Sequence, residues 1–318
     1  MIRRISSKQF FLATLLTSLL AATPALATDC KSFLGPFNQA IDEAREPDAQ
    51  GLIDKIAASA ECGQYQTAAQ YRLAALRLSA AQILMARGRP VAEYERLLTA
   101  AEAPEVLWQA SATLGEVRYG ARRFAEAAEA YDRAIAIVNN ETLTATRPEK
   151  FEIDGLISRS GQARLLAANV KMADGSSAFV PTAKDQRDGT LGGMYSRSVR
   201  GIVPQVVPVP ITFDYAKATF TPIGEQAARE LAQALKEQSP VRIQLVGHTD
   251  IRGSEETNLK LSAARAEAVA DFLKQAGVAA NIETKGVGAT EPLNIMDSSG
   301  LSQDDIYALN RRVEFIRQ

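Results

Sequence analysis

Asp250 and Arg265 are the residues whose types and placement suggest chemistry. Asp250 follows the alternating run Val241 to Val246 and the turn residue Gly247. Arg265 lies in the helical run behind that turn. On a 3.6-residue wheel Leu261, Ala264, Ala268, Val269 and Phe272 form the apolar stripe expected to be buried, and Asn258 and Arg265 fall within or beside it. A guanidinium on an inward face is costly unless an anion meets it, and Asp250 is the obvious one. Two readings follow. The pair is either a structural staple between strand and helix, or a receptor for a zwitterion, with the carboxylate facing an ammonium and the arginine fork facing a carboxylate.

The elements that must hold these groups are legible around them. Alternation of apolar and polar residues over Val241 to Val246 predicts a strand with one buried face. Ser254 suits a helix N-cap, and Glu255 and Glu256 suit the positive end of the helix dipole that follows, so a helix is expected from Glu255 to about Gly277. Upstream, Thr221-Pro222 marks a helix start with proline at its first position; Ala228, Leu231 and Leu235 give its buried face, and Pro240 lies beyond its end. Downstream come a strand around Ile282 to Val287, a short helix near Gln303 to Leu309 and a last strand, Val313 to Ile316. The plan is a C-terminal α/β sandwich with helices packed on a small mixed sheet, behind an all-α N-terminal part; the whole is α+β.

Gly247-His248-Thr249-Asp250, Gly253-Ser254, Asn258, Leu261-Ser262, Arg265-Ala266 and Val269 resemble, interval by interval, the motif of the OmpA-like peptidoglycan-binding domain. Ile211 to Tyr215, through Phe213, looks like that family's first strand; Gly286-Val287-Gly288 with Pro292, and Asn310 to Val313, look like its third and last strands. The resemblance covers about residues 205 to 318. It implies that Asp250 and Arg265 clasp the diaminopimelate of a peptidoglycan stem peptide. It further implies that Asn258 and Leu261 line the peptide groove, that Thr249 and Phe213 shape it, and that Arg311 is a further candidate on the neighbouring strand. One departure is the segment Leu293 to Leu309, longer and more acidic than the family's usual connection, which would alter the groove's rim.

The chain begins with Arg3, Arg4 and Lys8, an apolar run from Phe10 to Leu20, and Ala25-Leu26-Ala27, which reads as a cleavable secretory signal over residues 1–27. Removing its three cations leaves 33 Lys and Arg against 37 Asp and Glu, a net charge of −4. Cys30 follows Asp29, whereas a lipidated cysteine follows a small residue, so a lipoprotein anchor is disfavoured. The expected location is the periplasm, attached to the cell wall, with outer-membrane association compatible. An uncleaved signal retained as an inner-membrane anchor is the competing reading.

Residues 28–173 read as a helical, tetratricopeptide-like domain. Lys31 to Arg45 and Ala49 to Glu61 predict a helical hairpin whose outer ends bring Cys30 and Cys62 together. A disulfide there suits an oxidising compartment and would contribute about 3 to 4 kcal/mol in the chain-entropy model. Leu114-Gly115, Phe124, Ala127, Tyr131 and Ala134 match the spacing of one tetratricopeptide repeat, with Tyr65 and Ala68 as an echo of another; Trp108 is expected in the core. Residues 174–204, with their Gly, Ser and Pro, read as a linker, and Ile202 to Pro210 as an extended or edge segment beside the first strand of the domain at 205–318.

The sequence offers few parts for catalysis. His248 is its single histidine, placed at a strand-turn boundary where it would hold the turn by hydrogen bonding, and both cysteines are assigned to a disulfide. No metal, cofactor or nucleic-acid partner is implied, the near-neutral charge leaving no footprint for the last. The expected function is non-catalytic: noncovalent binding of peptidoglycan through diaminopimelate, with a protein partner on the helical domain. The alternatives are an interaction scaffold that uses the C-terminal domain only structurally, and a peptidoglycan hydrolase.

Overall fold

A computed structural model describes residues 28–169, 177–184, 189–295, 298 and 300–318. The expected signal peptide lies outside the described residues, as do the turn formers Asp174 and Asp188. The chain divides into two compact units, residues 1–73 and 74–318. Among the described residues no helix is long and apolar enough to cross a membrane.

The first unit contains the hairpin of α1 (Thr28–Asp42) and α2 (Glu46–Ala58), which Pro47 helps to start. Phe37, Ala40, Ala49, Ile53 and Ile56 are buried in it. A disulfide joins Cys30 to Cys62 with the Cα atoms 5.4 Å apart, and both residues are buried. Glu46-Pro47-Asp48, which the sequence leaves between the two expected helices as their turn, is instead the first turn of α2. Proline at an N-terminal helix position sacrifices no intrahelical bond, so the helix begins there.

α3 (Gln66–Ala86) leads across the division to α4 (Val91–Glu102), α5 (Trp108–Gly120), α6 (Phe124–Asn139) and α7 (Lys150–Asn169). α5 and α6 cross closely because Gly115 faces Tyr131: a Cβ built at Gly115 would lie 2.8 Å from the tyrosine ring. Trp108 is half-buried against the core.

The sheet has the order β1 (Val206–Val209), β4 (Val313–Arg317), β2 (Arg242–Gly247), β3 (Asn281–Gly286). β4 is antiparallel to both its neighbours, and β2 is parallel to β3. The register places Val207, Val209, Leu245, Val313 and Phe315 on one face. They join Leu231 and Leu235 of α8 (Pro222–Gln238) and Val269 and Leu273 of α9 (Glu255–Gln275) in one core. Close packing of α9 on β2 and β3 explains two glycines of the motif region. A Cβ on Gly247 would stand 2.1 Å from the carbonyl oxygen of Ser262, and one on Gly286 would stand 2.4 Å from the backbone nitrogen of Ala263.

Two placements differ from expectation. The proline-rich segment itself supplies β1, while Phe213 lies beyond it, in a local bridge with Phe220 rather than on a sheet strand. β1 is an edge strand pairing only with β4, a position in which Pro208 can do without its N–H. On α9 the buried residues are Asn258, Ser262, Arg265, Ala266, Val269, Ala270 and Leu273. Leu261, Ala264, Ala268 and Phe272 are only half-buried, so the face is rotated towards the small residues that let the helix sit against the sheet.

Residues 177–184 and 189–204 also pack more than a linker would. Val180, Leu191, Met194, Tyr195, Val199 and Ile202 are buried in the same core as α6, α7 and α8. α7 meets β1 directly, Gly161 lying so near Pro208 that a Cβ would be 3.1 Å from the proline ring. Helical bundle and sheet therefore share one compact unit.

Candidate functional site

Strand β2 ends at Gly247, and the following residues form the loop that carries Asp250. His248 donates its backbone N–H to the Arg312 carbonyl, and Thr249 donates to the Gly288 carbonyl, each at 2.9 Å. The imidazole is buried, with Nδ1 3.1 Å from the Glu291 carbonyl and Nε2 3.4 Å from a Glu314 carboxylate oxygen. Burial would raise Glu314, but contacts with His248 and Arg312 outweigh it and hold the carboxyl below its usual range. This buried cluster fixes the base of the loop.

α9 starts at Ser254, whose hydroxyl accepts the Thr257 N–H at 3.2 Å, an N-cap that forces the chain to turn just before it. One helical turn later Asn258 directs its side-chain amide back into the loop, donating to the Asp250 carbonyl at 3.3 Å and the Arg252 carbonyl at 3.1 Å. Asn258 is thus occupied in shaping the loop. Ser262 accepts the Gly288 N–H at 2.9 Å and ties the loop after β3 to the same helix.

Asp250 is buried, and its carboxylate is surrounded by donors. Oδ1 accepts the Arg252 backbone N–H at 3.0 Å and Arg252 Nε at 3.1 Å; Oδ2 accepts Arg252 Nη2 at 2.6 Å and Arg311 Nη1 at 2.9 Å. Burial pushes this carboxyl upward, but the hydrogen bonds from Arg252 and Arg311 prevail and hold it down at about 2. Arg311 caps the C-terminus of α10 (Gln303–Asn310), just ahead of β4.

Arg265 is buried to 4% exposure and sits differently. Its Nε donates to the Lys217 carbonyl at 3.0 Å, and its guanidinium lies 5.0 Å from the centre of the Phe213 ring. Among the described residues no carboxylate lies within ion-pair distance of it. The direct Asp250 to Arg265 staple is therefore not formed; Asp250 pairs with Arg252 and Arg311 instead. Burial, reinforced by repulsion from Arg311 and opposed by attraction to Asp250, lowers Arg265 to about 10, leaving it charged at neutral pH.

Contacts thus join Phe213 to Arg265, and Asn258 and Arg311 to Asp250; Arg265 feels the charges of Arg311 and Asp250 without touching either. Thr249 lies in the same loop with its hydroxyl buried and unbonded. Leu261 is half-buried on the adjacent turn of α9. A groove of about 250 Å³ lined by Glu255, Leu259, Lys285, Gly288 and Glu291 is nearby in sequence but includes neither Asp250 nor Arg265. Sequence reasoning missed Arg252 and, through it, Tyr307, whose ring lies 4.6 Å beneath the Arg252 guanidinium. The available signal was an arginine two residues after the aspartate.

Residues 212–303 match the OmpA family. Beyond that domain-level match, the chain is 35% identical over 132 residues to the probable lipoprotein YiaD of Escherichia coli strain K12, covering 41% of this chain and 57% of that protein. It is 36% identical over 108 residues to the peptidoglycan-binding protein ArfA of Mycobacterium tuberculosis strain ATCC 25618 / H37Rv, covering 34% of this chain and 32% of ArfA. Against the peptidoglycan-associated lipoprotein of Legionella pneumophila the identity is 35% over 105 residues, covering 33% of this chain and 57% of that one. The chain therefore spans little more than half the length of these relatives, or less. The crystal structure of the peptidoglycan-associated lipoprotein from Burkholderia pseudomallei is similar at 28% identity, covering 36% of this chain and 90% of that chain, with a TM-score of 0.29.

Proposed function

We propose that this protein is a non-catalytic component of the cell envelope that binds peptidoglycan noncovalently through the diaminopimelate of the stem peptide. The observation that carries this reading is Arg265, a buried guanidinium with one backbone acceptor and, among the described residues, no carboxylate partner, which feels the charge of an ionised Asp250. A buried cation in that state is costly, and a ligand carboxylate would relieve it. Asp250 offers the complementary charge for the ammonium of the same zwitterion. Phe213 supplies an apolar and cation-π wall, and Asn258 keeps the loop in shape. The match of residues 212–303 to the OmpA family and the names of its peptidoglycan-binding and peptidoglycan-associated relatives support the same conclusion.

In this reading the protein acts in the periplasm after removal of its signal peptide. The α5–α6 pair, closed by Gly115 on Tyr131 in the manner of a tetratricopeptide repeat, belongs to a helical region that engages a protein partner. Co-sedimentation of the mature chain with purified diaminopimelate-containing sacculi tests the reading. The parent should pellet with them, while Asp250→Ala and Arg265→Ala stay in the supernatant with unchanged circular dichroism. A parent that fails to pellet would remove the proposal. Clearing of a sacculus suspension by the protein alone would instead favour a hydrolase.

A further inference from the structure

We propose that Arg252 is an internal occupant of Asp250, a latch that a ligand ammonium must displace. The inference rests on the wall-binding reading above and adds how access to that site is controlled.

An ionised carboxylate offers about four lone-pair sites on its two oxygens. At Asp250 the backbone N–H and Nε of Arg252 share Oδ1, and Nη2 of Arg252 and Nη1 of Arg311 share Oδ2. Acceptor capacity is thus already filled, leaving no seat for an incoming ammonium. One donor has to leave. The Arg252 backbone N–H cannot do so cheaply, because Asn258 pins the carbonyls of both Asp250 and Arg252. Arg311 is the less exposed of the two side chains, 32% against 53% for Arg252, and is set at the cap of α10. Arg252 is the group that can swing into water, breaking its Nε and Nη2 bonds while the loop backbone stays in place.

The closed position has its own support. The Arg252 guanidinium lies over the Tyr307 ring at 4.6 Å, so the same side chain is held by a carboxylate and by an aromatic face. Tyr307 belongs to α10, within the segment that departs from the family's usual connection. α10 is fixed by the Ser302–Asp305 capping box and by a bidentate pair between Asp305 and Arg122, at the turn between α5 and α6. The seat of the latch is therefore built partly by the helical bundle.

A closed state lowers apparent affinity by the fraction of molecules that are open, so weakening it must tighten binding. The test is calorimetric titration of the full mature chain with a soluble diaminopimelate-containing stem peptide. Arg252→Gln should bind about three- to tenfold more tightly than the parent, as expected for removing a half-exposed charged competitor. Arg252→Lys, with a single point charge in place of the fork, should fall between them. Tyr307→Leu should tighten binding by about two- to threefold through loss of the cation-π contact. A merely structural arginine would not give improved affinity in that order. If the parent binds, Asp250→Ala does not, and Arg252→Gln binds equally or more weakly, the latch is overturned, with weaker binding making Arg252 a ligand contact. If neither the parent nor Arg252→Gln binds the peptide, the wall-binding reading fails and the latch with it.

Discussion

Arg164 and Arg265 are both buried arginines of the same compact unit, at 2% and 4% exposure, yet their surroundings are opposite. Arg164 donates Nη1 and Nη2 to the two oxygens of Asp132, at 3.2 and 2.7 Å, and Nη1 to Ser160 at 2.6 Å. It also donates Nε to the Val180 carbonyl and Nη2 to that of Pro181. Asp132 in turn accepts from Ser160 and from the Ala183 backbone N–H. Arg265 has the Lys217 carbonyl and an aromatic face. A buried cation with every donor used is part of the fold's interior. One that lacks an anion is a cost that folding alone does not repay, and such residues are where ligand chemistry is to be sought.

The largest test of that contrast is Asp132→Ala. It would strand Arg164 in the interior and should cost about 3 to 5 kcal/mol in denaturant unfolding. Arg265→Met should behave in the reverse manner. Removing an uncompensated cation should leave stability unchanged or raise it, by no more than about 1 to 4 kcal/mol, while sacculus binding is lost. Equal destabilisation by the two substitutions would erase the distinction between them. A diaminopimelate peptide at 100 times its dissociation constant should stabilise the parent by about 2.7 kcal/mol and leave Arg265→Met unmoved. The smallest effect concerns pH. Asp250 has an ordinary value of 3.8 and is held at about 2 in the folded chain, so its contribution to stability is present above about 4. It should disappear as pH falls through about 2, and comparing acid melts of the parent and Asp250→Asn would show that difference.

Local chemistry was the legible part of this molecule. Ser254 as N-cap, Pro222 in the first turn of α8 and the strand before Gly247 depend on neighbours in sequence, and each lies where its residues require. Burial of Arg265 was visible from its place on the helical wheel, but its partners were not. The Asp250–Arg311 bond joins residues far apart in sequence, and Arg252 in a polar loop looks like any solvated side chain until Tyr307 is brought beneath it. β1 was displaced for a related reason. Pro204, Pro208 and Pro210 argue against a central strand and allow an edge position, and the sheet order places β1 at that edge. Gly, Ser and Pro in 174–204 carry no information on whether the stretch is covered, as Met194 and Tyr195 are.

The antiparallel register of β1 on β4 has a mechanical meaning. β1 is the segment through which the chain passes from the helical bundle into the sheet, and it is gripped by α7 at Pro208 as well as by β4 from Val206 to Val209. Tension between the bundle and a ligand held at the end of β2 would fall on the β1–β4 ladder and on the packing of α7 against Pro208. An antiparallel ladder pulled along its strands loads its hydrogen bonds in shear, all together, rather than opening them one at a time.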